Sequence, residues 1–464
     1  MDTLGGWLAF LAVTCSVGTP GCGSVGAGAN ASGGSGSGGE TTISALAPSG
    51  SAKDTPESLA GTCQGYTVFS TEDVNGNFTS SQLIDMQGNI VHTWNTGAVP
   101  ARMLPGGDLI GCSGVTTISY DAVAFQQVAW NSDVSWSFVD WEDSGGGAWA
   151  SRQHHDYERE GNPVGYYAPG QDFVVGGSTM VLAHSRRTVT AVRDDAIDDD
   201  VIYQLDGAGA LTGTPWYAGD HVAELGFDAA ALTDIRTRNP GTVLEWLHGN
   251  SMSLVGSNHW FDEGHSEFDP NNIVYSSRNA NIVVIISHET GDIVWRIGPD
   301  FAGRPEEKLG QFAGQHNPHI IPEGLPGAGN MLVFDDGGAS GFGDTSQDGY
   351  RYERSWSRVL EFNPVTMDIV WQYGSADGAD NFYSGYLSNA QRLPNGNTLI
   401  DIGTSGQVIE VSAAKEILWK YSYVPPIAGN SAWVYRAYRI PPEWLPAGEN
   451  AAAGNYPSWS DLFE

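Results

Sequence analysis

Histidine and arginine carry the chemistry in this sequence. Eleven histidines occur, and several stand in short segments rich in Gly, Asn and Arg. These are His154-His155-Asp156, leading to Arg159 and Gly161-Asn162-Pro163; Glu245-Trp246-Leu247-His248-Gly249-Asn250-Ser251; and Gln315-His316-Asn317-Pro318-His319. Two arginine segments share the setting, Ser276-Ser277-Arg278-Asn279 and Trp356-Ser357-Arg358-Val359. Arg offers a forked donor to a tetrahedral oxyanion, and His can act as acid, base or nucleophile. A set dominated by these two types suits a sulfate or phosphate group. Neither a Walker-type glycine loop nor an HExxH motif is present. Taken singly, a loop histidine is more often a solvated or capping residue. The reading therefore depends on what brings these segments together.

The elements that would do so are repeats. A turn followed by an aliphatic pair and Trp recurs at 88–94, 291–295, 367–371 and 415–419, ending in Trp94, Trp295, Trp371 and Trp419. Looser copies surround Trp136 and Trp141, and run from 210 to Trp216. Between them lies a second element, Leu104-Pro105-Gly106-Gly107-Asp108-Leu109 and Leu393-Pro394-Asn395-Gly396-Asn397-Thr398, with weaker relatives at 269–274 and 327–332. Both are hairpin signals, since Gly and Asn tolerate the positive φ of tight turns. Together they predict about four strands per repeat and six repeats of about 65 residues, which is a six-bladed, all-β propeller. Each repeated Trp is expected between blades. The ring is expected to run from about 65 to 440, with the 436–440 strand beside the first blade to close it, since an open ring leaves two sheet edges. The His and Arg segments begin or end strands of different repeats, so they can converge at one mouth of the ring. Tyr166, Tyr167, Trp260, Tyr383 and Tyr386 are loop aromatics that could stack on a phenol.

The chain has 464 residues and a net charge of −33, with Lys+Arg 21 against Asp+Glu 54. That balance argues against nucleic acid and anionic membranes as partners, because both need a basic face. An anionic substrate needs a local Arg/His site within a repulsive field. Residues 4–17 form an apolar run too short to span a bilayer and are read as a signal peptide over 1–20. Residues 21–60 are a Gly/Ser/Ala-rich tether, 61–445 the propeller and 446–464 a C-terminal tail. Cys22 stands where a bacterial lipoprotein carries its lipid, so the chain is expected to be exported, either secreted or lipid-anchored in the periplasm or at the cell surface. Cys63 and Cys112 remain in the body, as one disulfide or as two buried thiols.

In order along the chain come Trp246-Leu247-His248-Gly249-Asn250-Ser251, Ser276-Ser277-Arg278-Asn279, Gly291-Asp292-Ile293-Val294-Trp295, Gln315-His316-Asn317, Ser357-Arg358-Val359 and Ala390-Gln391-Arg392-Leu393-Pro394-Asn395-Gly396-Asn397. This series resembles the bacterial arylsulfotransferase family, the kind independent of 3′-phosphoadenylylsulfate, over most of residues 64–445. The resemblance implies an exported six-bladed propeller without a cofactor. It would move a sulfuryl group from a phenolic sulfate donor to a phenol acceptor through a sulfated histidine. By motif, His248, His316 and Arg358 fall on family site positions, and Asn317 flanks one of them. Arg278 joins them from its loop position. The family's covalent histidine lies in a later blade, whereas the last histidine here is His319. The covalent role is therefore expected at His316, with His155 in reserve. His248 would transfer the proton, Arg278 and Arg358 would hold sulfuryl oxygens, and His154 and Asn317 would assist binding. Two other readings stay open: a non-catalytic binding propeller, and a metal-dependent enzyme using His154, His155, His248, His316 and His319 with Asp335 or Asp336.

Overall fold

The turn before each repeated Trp dictates the geometry of the blades. A computed structural model describes residues 59–72, 78–115, 121–143, 146–343, 350–376, 382–425 and 431–463. In all six repeats one residue of this turn is left-handed: Gly88 (φ 77°), Ser132 (67°), Gly209 (86°), Gly291 (79°), Met367 (61°) and Lys415 (71°). The strand pairing shifts register beside each of these turns. That is a turn closed by a left-handed residue and a bulge, and it adds twist to the hairpin. The sequence ahead of Trp thus fixes how the outer edge of each blade curls.

Six blades result, each an antiparallel run of four strands with its innermost strand first; Leu244–Glu245 adds a parallel strand to the third, and Glu142–Asp143 pairs with Trp149–Ala150 in a separate ribbon. The first blade is built from Ala437–Ile440, Tyr66–Glu72, Phe78–Ile84 and Ile90–Trp94. The other innermost strands are Val99–Met103, Gln153–Arg159, Gly249–Leu254, His316–Ile320 and Asn389–Arg392. Neighbouring innermost strands touch all the way round. Closure is as expected: Tyr66 pairs with Ile440 and Phe69 with Ala437, so the last strand completes the first blade. Amide side chains clasp blade to blade along the inner ring. Asn389 and Gln391 bond the backbone of Ala437 and Arg439. Gln315 Nε2 donates to the carbonyls of Ser277 and Ile282.

The rim uses the repeated indoles. Trp216, Trp295, Trp371 and Trp419 each donate Nε1–H to a carbonyl in the turn of the next blade: Gly291, Pro364, Ala413 and Met86, at 2.8–3.1 Å. Trp94 instead packs edge-on against Trp130 of the second blade's turn, 5.4 Å between centroids. The expectation of Trp between blades holds.

Four features extend or correct the sequence reading. Cys63 and Cys112 are both free and buried, so the disulfide alternative is excluded. Burial pushes each thiol up to about 12, which leaves both protonated. Residues 446–463 are not loose: Trp459 is buried and donates Nε1–H to Gln64 O, and Tyr456 OH meets Met86 N. A helix, Ala229–Thr237, capped by Asp228, lies between the third and fourth blades and was not foreseen. Among the described residues, no helix is long and apolar enough to cross a membrane. Residues 1–20, read as a signal peptide, Cys22 and nearly all of the 21–60 stretch read as a tether lie outside the described residues.

Candidate active site

The functional residues gather where the innermost strands begin. At that end the strands of the second to fifth blades are bulged: pairing shifts between Val99 and Arg102, Gln153 and Tyr157, Gly249 and Ser251, and His316 and His319. Left-handed residues sit at or beside the bulges, namely His155 (φ 58°), His248 (53°) and Asn317 (50°). A bulge re-aims side chains and is common beside functional sites. His and Asn enter this φ region more readily than most residues.

His316 heads the innermost strand of the fifth blade. Its Nδ1 lies 2.7 Å from Asp336 Oδ2 and 2.9 Å from the carbonyl of Gly314. A carbonyl only accepts, so Nδ1 carries the hydrogen. Leu387 N–H points at Nε2 from 3.3 Å, which requires a lone pair there. Two independent contacts thus fix one tautomer, with the hydrogen on Nδ1 and the lone pair on Nε2. Burial, reinforced by Arg278, Arg436 and His248, holds this imidazole well below its ordinary range, so it is neutral. Burial also raises the Asp336 carboxyl, against the pull of Arg278.

His155 and His248 form the opposite wall. Their ring centroids lie 4.5 Å apart. Burial, followed by His248, His154 and His316, keeps His155 neutral. His248 Nδ1 lies 2.5 Å from Glu245 Oε1. Burial favours the neutral acid, but His248 outweighs it and holds Glu245 at about 2, so the carboxylate is ionised and accepts. That leaves Nε2 as the His248 ring nitrogen not engaged by Glu245. His248, Glu245, Arg278 and Asn279 line a cavity of about 340 Å3, together with Arg238, Phe342 and Tyr350. The Arg238 guanidinium stacks over the Phe342 and Tyr350 rings. The mouth thus offers cationic groups beside aromatic faces within an acidic chain.

A second layer lies behind His155. His154 stacks on His184 at 3.7 Å, and both rings are buried beside Asp200. His184 Nδ1 meets Asp121 Oδ1 at 2.7 Å. Against burial, Asp121, Glu245 and Asp200 push His184 up to about 10, so the pocket holds a positive charge there. Nearer the axis, Asp156 receives Arg102 on Oδ1 and Arg436 on Oδ2, both at 2.8 Å. Arg436 also donates to Asn250 O. This buried network ties four blades together. Arg436 lies within electrostatic reach of His316.

His155, His248, His316 and Arg278 therefore gather at one end of the ring, with His248 and Arg278 lining the cavity and His316 buried within electrostatic reach of both. Arg358 does not join them: its Nε pairs with Asp335 Oδ2 at 2.8 Å and its Nη2 donates to Gly310 O. The two residues are cross-strand neighbours, which favours that pairing. Asn317 is buried beside His316, with its Oδ1 unpartnered. His154 faces His184 and Asp200 instead of the mouth. The metal set expected from the histidine motifs is not assembled either. His319 bonds Tyr166 OH at 2.9 Å, His316 bonds Asp336, and the group with ligand spacing is His154, His184 and Asp200. Tyr166 is core, Tyr167 packs on Trp459, and Trp260 bonds Gly329 O. Tyr383 and Tyr386 are partly exposed and flank Gly385, whose carbonyl faces Arg278. Sequence reasoning missed His184, Asp200, Asp336 as the partner of His316, and Arg436. Only Arg436 left a trace, as the first residue of the closing strand.

A search of curated proteins finds no match to the chain. Among solved structures it resembles a protein of unknown function from Bacteroides caccae, at 9% identity over 81% of this chain and 99% of that one, with a TM-score of 0.44. It also resembles the Dos1 propeller (8%, 78% and 73%, 0.35) and virginiamycin B lyase from Staphylococcus aureus (8%, 77% and 84%, 0.35). The family model for arylsulfotransferase (ASST) matches residues 171–424, more than half of the chain and the stretch that supplies His248, Arg278, His316 and Asp336. With the ring closed as six blades and the motif histidines gathered at its mouth, the chain belongs to the arylsulfotransferase (ASST) family.

Proposed function

We propose that this protein is an aryl-sulfate sulfotransferase in which His316 carries the sulfuryl group. The observation that supports this most directly is the fixed tautomer of His316, a neutral imidazole with hydrogen on Nδ1 and its Nε2 lone pair facing Leu387 N–H, within electrostatic reach of Arg278 and His248. In the first half-reaction Nε2 forms the N–S bond as the S–O(aryl) bond breaks, and the departing phenolate oxygen takes a proton from His248 Nε2. In the second, the acceptor phenol returns a proton to His248 Nε2 and its oxygen attacks sulfur. The N–S bond then breaks and His316 is regenerated. Arg278 holds the sulfuryl oxygens, whose charge a preorganised guanidinium stabilises. Asp336 accepts the Nδ1 hydrogen and keeps the ring oriented as Nε2 attacks. Arg358 acts at one remove, fixing Asp335 beside Asp336, and His155 is the reserve nucleophile. The apolar run at 4–17 and the Gly/Ser-rich stretch support export to the periplasm or cell surface. Mass spectrometry of the native protein tests processing there and lipidation at Cys22.

The test of activity uses 4-nitrophenyl sulfate with and without phenol. Phenol-dependent release of nitrophenol is expected, together with a mass increase of one SO3 on the peptide containing His316 when the donor is supplied alone. No transfer to any phenol would instead favour a binding propeller. A label on the peptide containing His155 would move the nucleophile there.

A further inference from the structure

Sulfuryl transfer through His316 meets an obstacle in the resting protein. Leu387 N–H lies 3.3 Å from His316 Nε2, on the side of its lone pair. A sulfur bonded to Nε2 takes that same direction. It would stand between the two nitrogens, too close to Leu387 N, so a sulfated His316 and this position of Leu387 exclude each other. Arg278 is engaged by the same segment, its Nη2 3.5 Å from Gly385 O. Gly385 and Leu387 therefore occupy both groups that an incoming sulfuryl group must engage. The segment is short and anchored at each end. Ser384 is buried and donates its N–H to Ser357 Oγ. Ser388 is buried, its N–H reaches Tyr435 O and its Oγ accepts from Gly403 N. Between these anchors Leu387 is left-handed (φ 70°), and Ser388 follows at φ 81°. Leu and Ser enter that region rarely, and backbone strain of this kind clusters at ligand clamps.

We propose that the backbone N–H of Leu387 is a catalytic donor that caps Nε2 at rest and passes to a sulfuryl oxygen when the aryl sulfate reacts. The peptide between Tyr386 and Leu387 is held from both sides, its N–H by His316 and its carbonyl by Ser384 Oγ at 2.7 Å. As sulfur approaches, this peptide shifts aside between its serine anchors. The N–S bond forms, the S–O(aryl) bond breaks, and the Leu387 hydrogen bond moves from nitrogen to oxygen with no proton leaving the amide. Arg278 likewise exchanges Gly385 O for a second sulfuryl oxygen. Backbone amides aimed at developing charge are what a preorganised oxyanion site is made of. The inference rests on His316 as the carrier of the sulfuryl group.

The test removes the amide alone. In the full chain Leu387 is exchanged by codon suppression for its α-hydroxy acid, which turns the N–H into an ester oxygen and keeps the side chain. Label on the peptide containing His316 is then timed with 4-nitrophenyl sulfate as the only substrate. Labelling is expected to slow about 100- to 1000-fold, the cost of one preorganised donor. A segment that merely covers Nε2 gives the opposite sign, faster labelling, and a purely structural one gives no change; either result overturns the proposal. A second measurement needs no variant. Amide hydrogen exchange in the wild type, before and after charging with donor, should change at Tyr386 and Leu387 and stay constant along Asn389–Arg392. No change at Leu387 in protein whose His316 carries the label overturns it as well. A wild type that takes no label from any aryl sulfate removes the transfer reading and this inference together, whereas labelling at an undiminished rate in the ester removes this inference alone.

Discussion

The rim and the mouth of this ring are built on opposite rules. At the rim one device recurs: a left-handed turn residue, a bulge, and in four blades an indole N–H that reaches the turn of the next blade. Its polar groups are mostly satisfied, and any one copy could be lost without altering the plan. At the mouth nothing recurs. His155, His248 and His316 head three different strands, and each has a different partner. Asn317 Oδ1 and Asp336 Oδ1 are buried without hydrogen-bond partners, and the Nε2 atoms of His154 and His184 face the Asp200 carboxylate. The shared residues hold the ring, and the departures from the repeat gather the titratable groups at one end of it.

The comparison breaks most sharply at His316. His316→Ala is expected to abolish phenol-dependent transfer, read as nitrophenol release, and a variant that keeps most of the wild-type rate would remove the mouth's central assignment. Next is the axial network on which the mouth rests. Asp156→Leu leaves Arg102 and Arg436 buried without their shared carboxylate. It should cost about 3–5 kcal/mol, measured by chemical denaturation. Arg278→Ala should lower transfer about 100- to 1000-fold with little change in stability, since it removes a donor to the developing charge.

Acid should weaken the mouth's supports before the rim. His319 is buried with Tyr166 OH and Asn317 O on its ring nitrogens, and faces Arg436, Arg102 and Asp156. Burial holds it at about 4 against an ordinary 6.5. Above pH 6.5 it is neutral in both states and has no effect. As pH falls from 6.5 to 4 the unfolded chain takes the proton first, and stability drops by at most about 3 kcal/mol. His319→Gln should flatten that part of the profile when the urea midpoint is followed across it. The smallest effect belongs to the rim: Trp295→Phe loses one indole hydrogen bond and should cost about 1 kcal/mol, with transfer unchanged.

The same division explains what could be read from the sequence. The rim was legible because its physics is local: a turn needing positive φ selects Gly or a tolerated substitute, and the Trp follows at a fixed distance. The hairpins at Gly106-Gly107 and Gly396 also take the left-handed turn their sequence implies. The mouth was half legible. His248 and Arg278 stand in loops, and His316 at the head of a strand, with recognisable neighbours. His184 and Asp200 lie inside paired strands, opposite each other, and only burial distinguishes them from ordinary polar positions. Asp198, Asp199 and Asp200 are a run of acids that reads as solvent-facing, yet all three are buried. Arg358 was misread because its motif places it correctly along the chain but says nothing of Asp335 across the sheet.

The closing strand has a consequence for how this protein comes into being. The first blade lacks its innermost strand until residues 437–440 are available, and Arg436, which anchors Asp156 and bears on His316, arrives with that strand. During synthesis, a partial chain that ends between residues 320 and 435 carries all the histidines but not the arginine that completes their setting. Assembly of the mouth is thus coupled to completion of the polypeptide, and a chain cut short before residue 436 would hold an open ring and an unfinished site together.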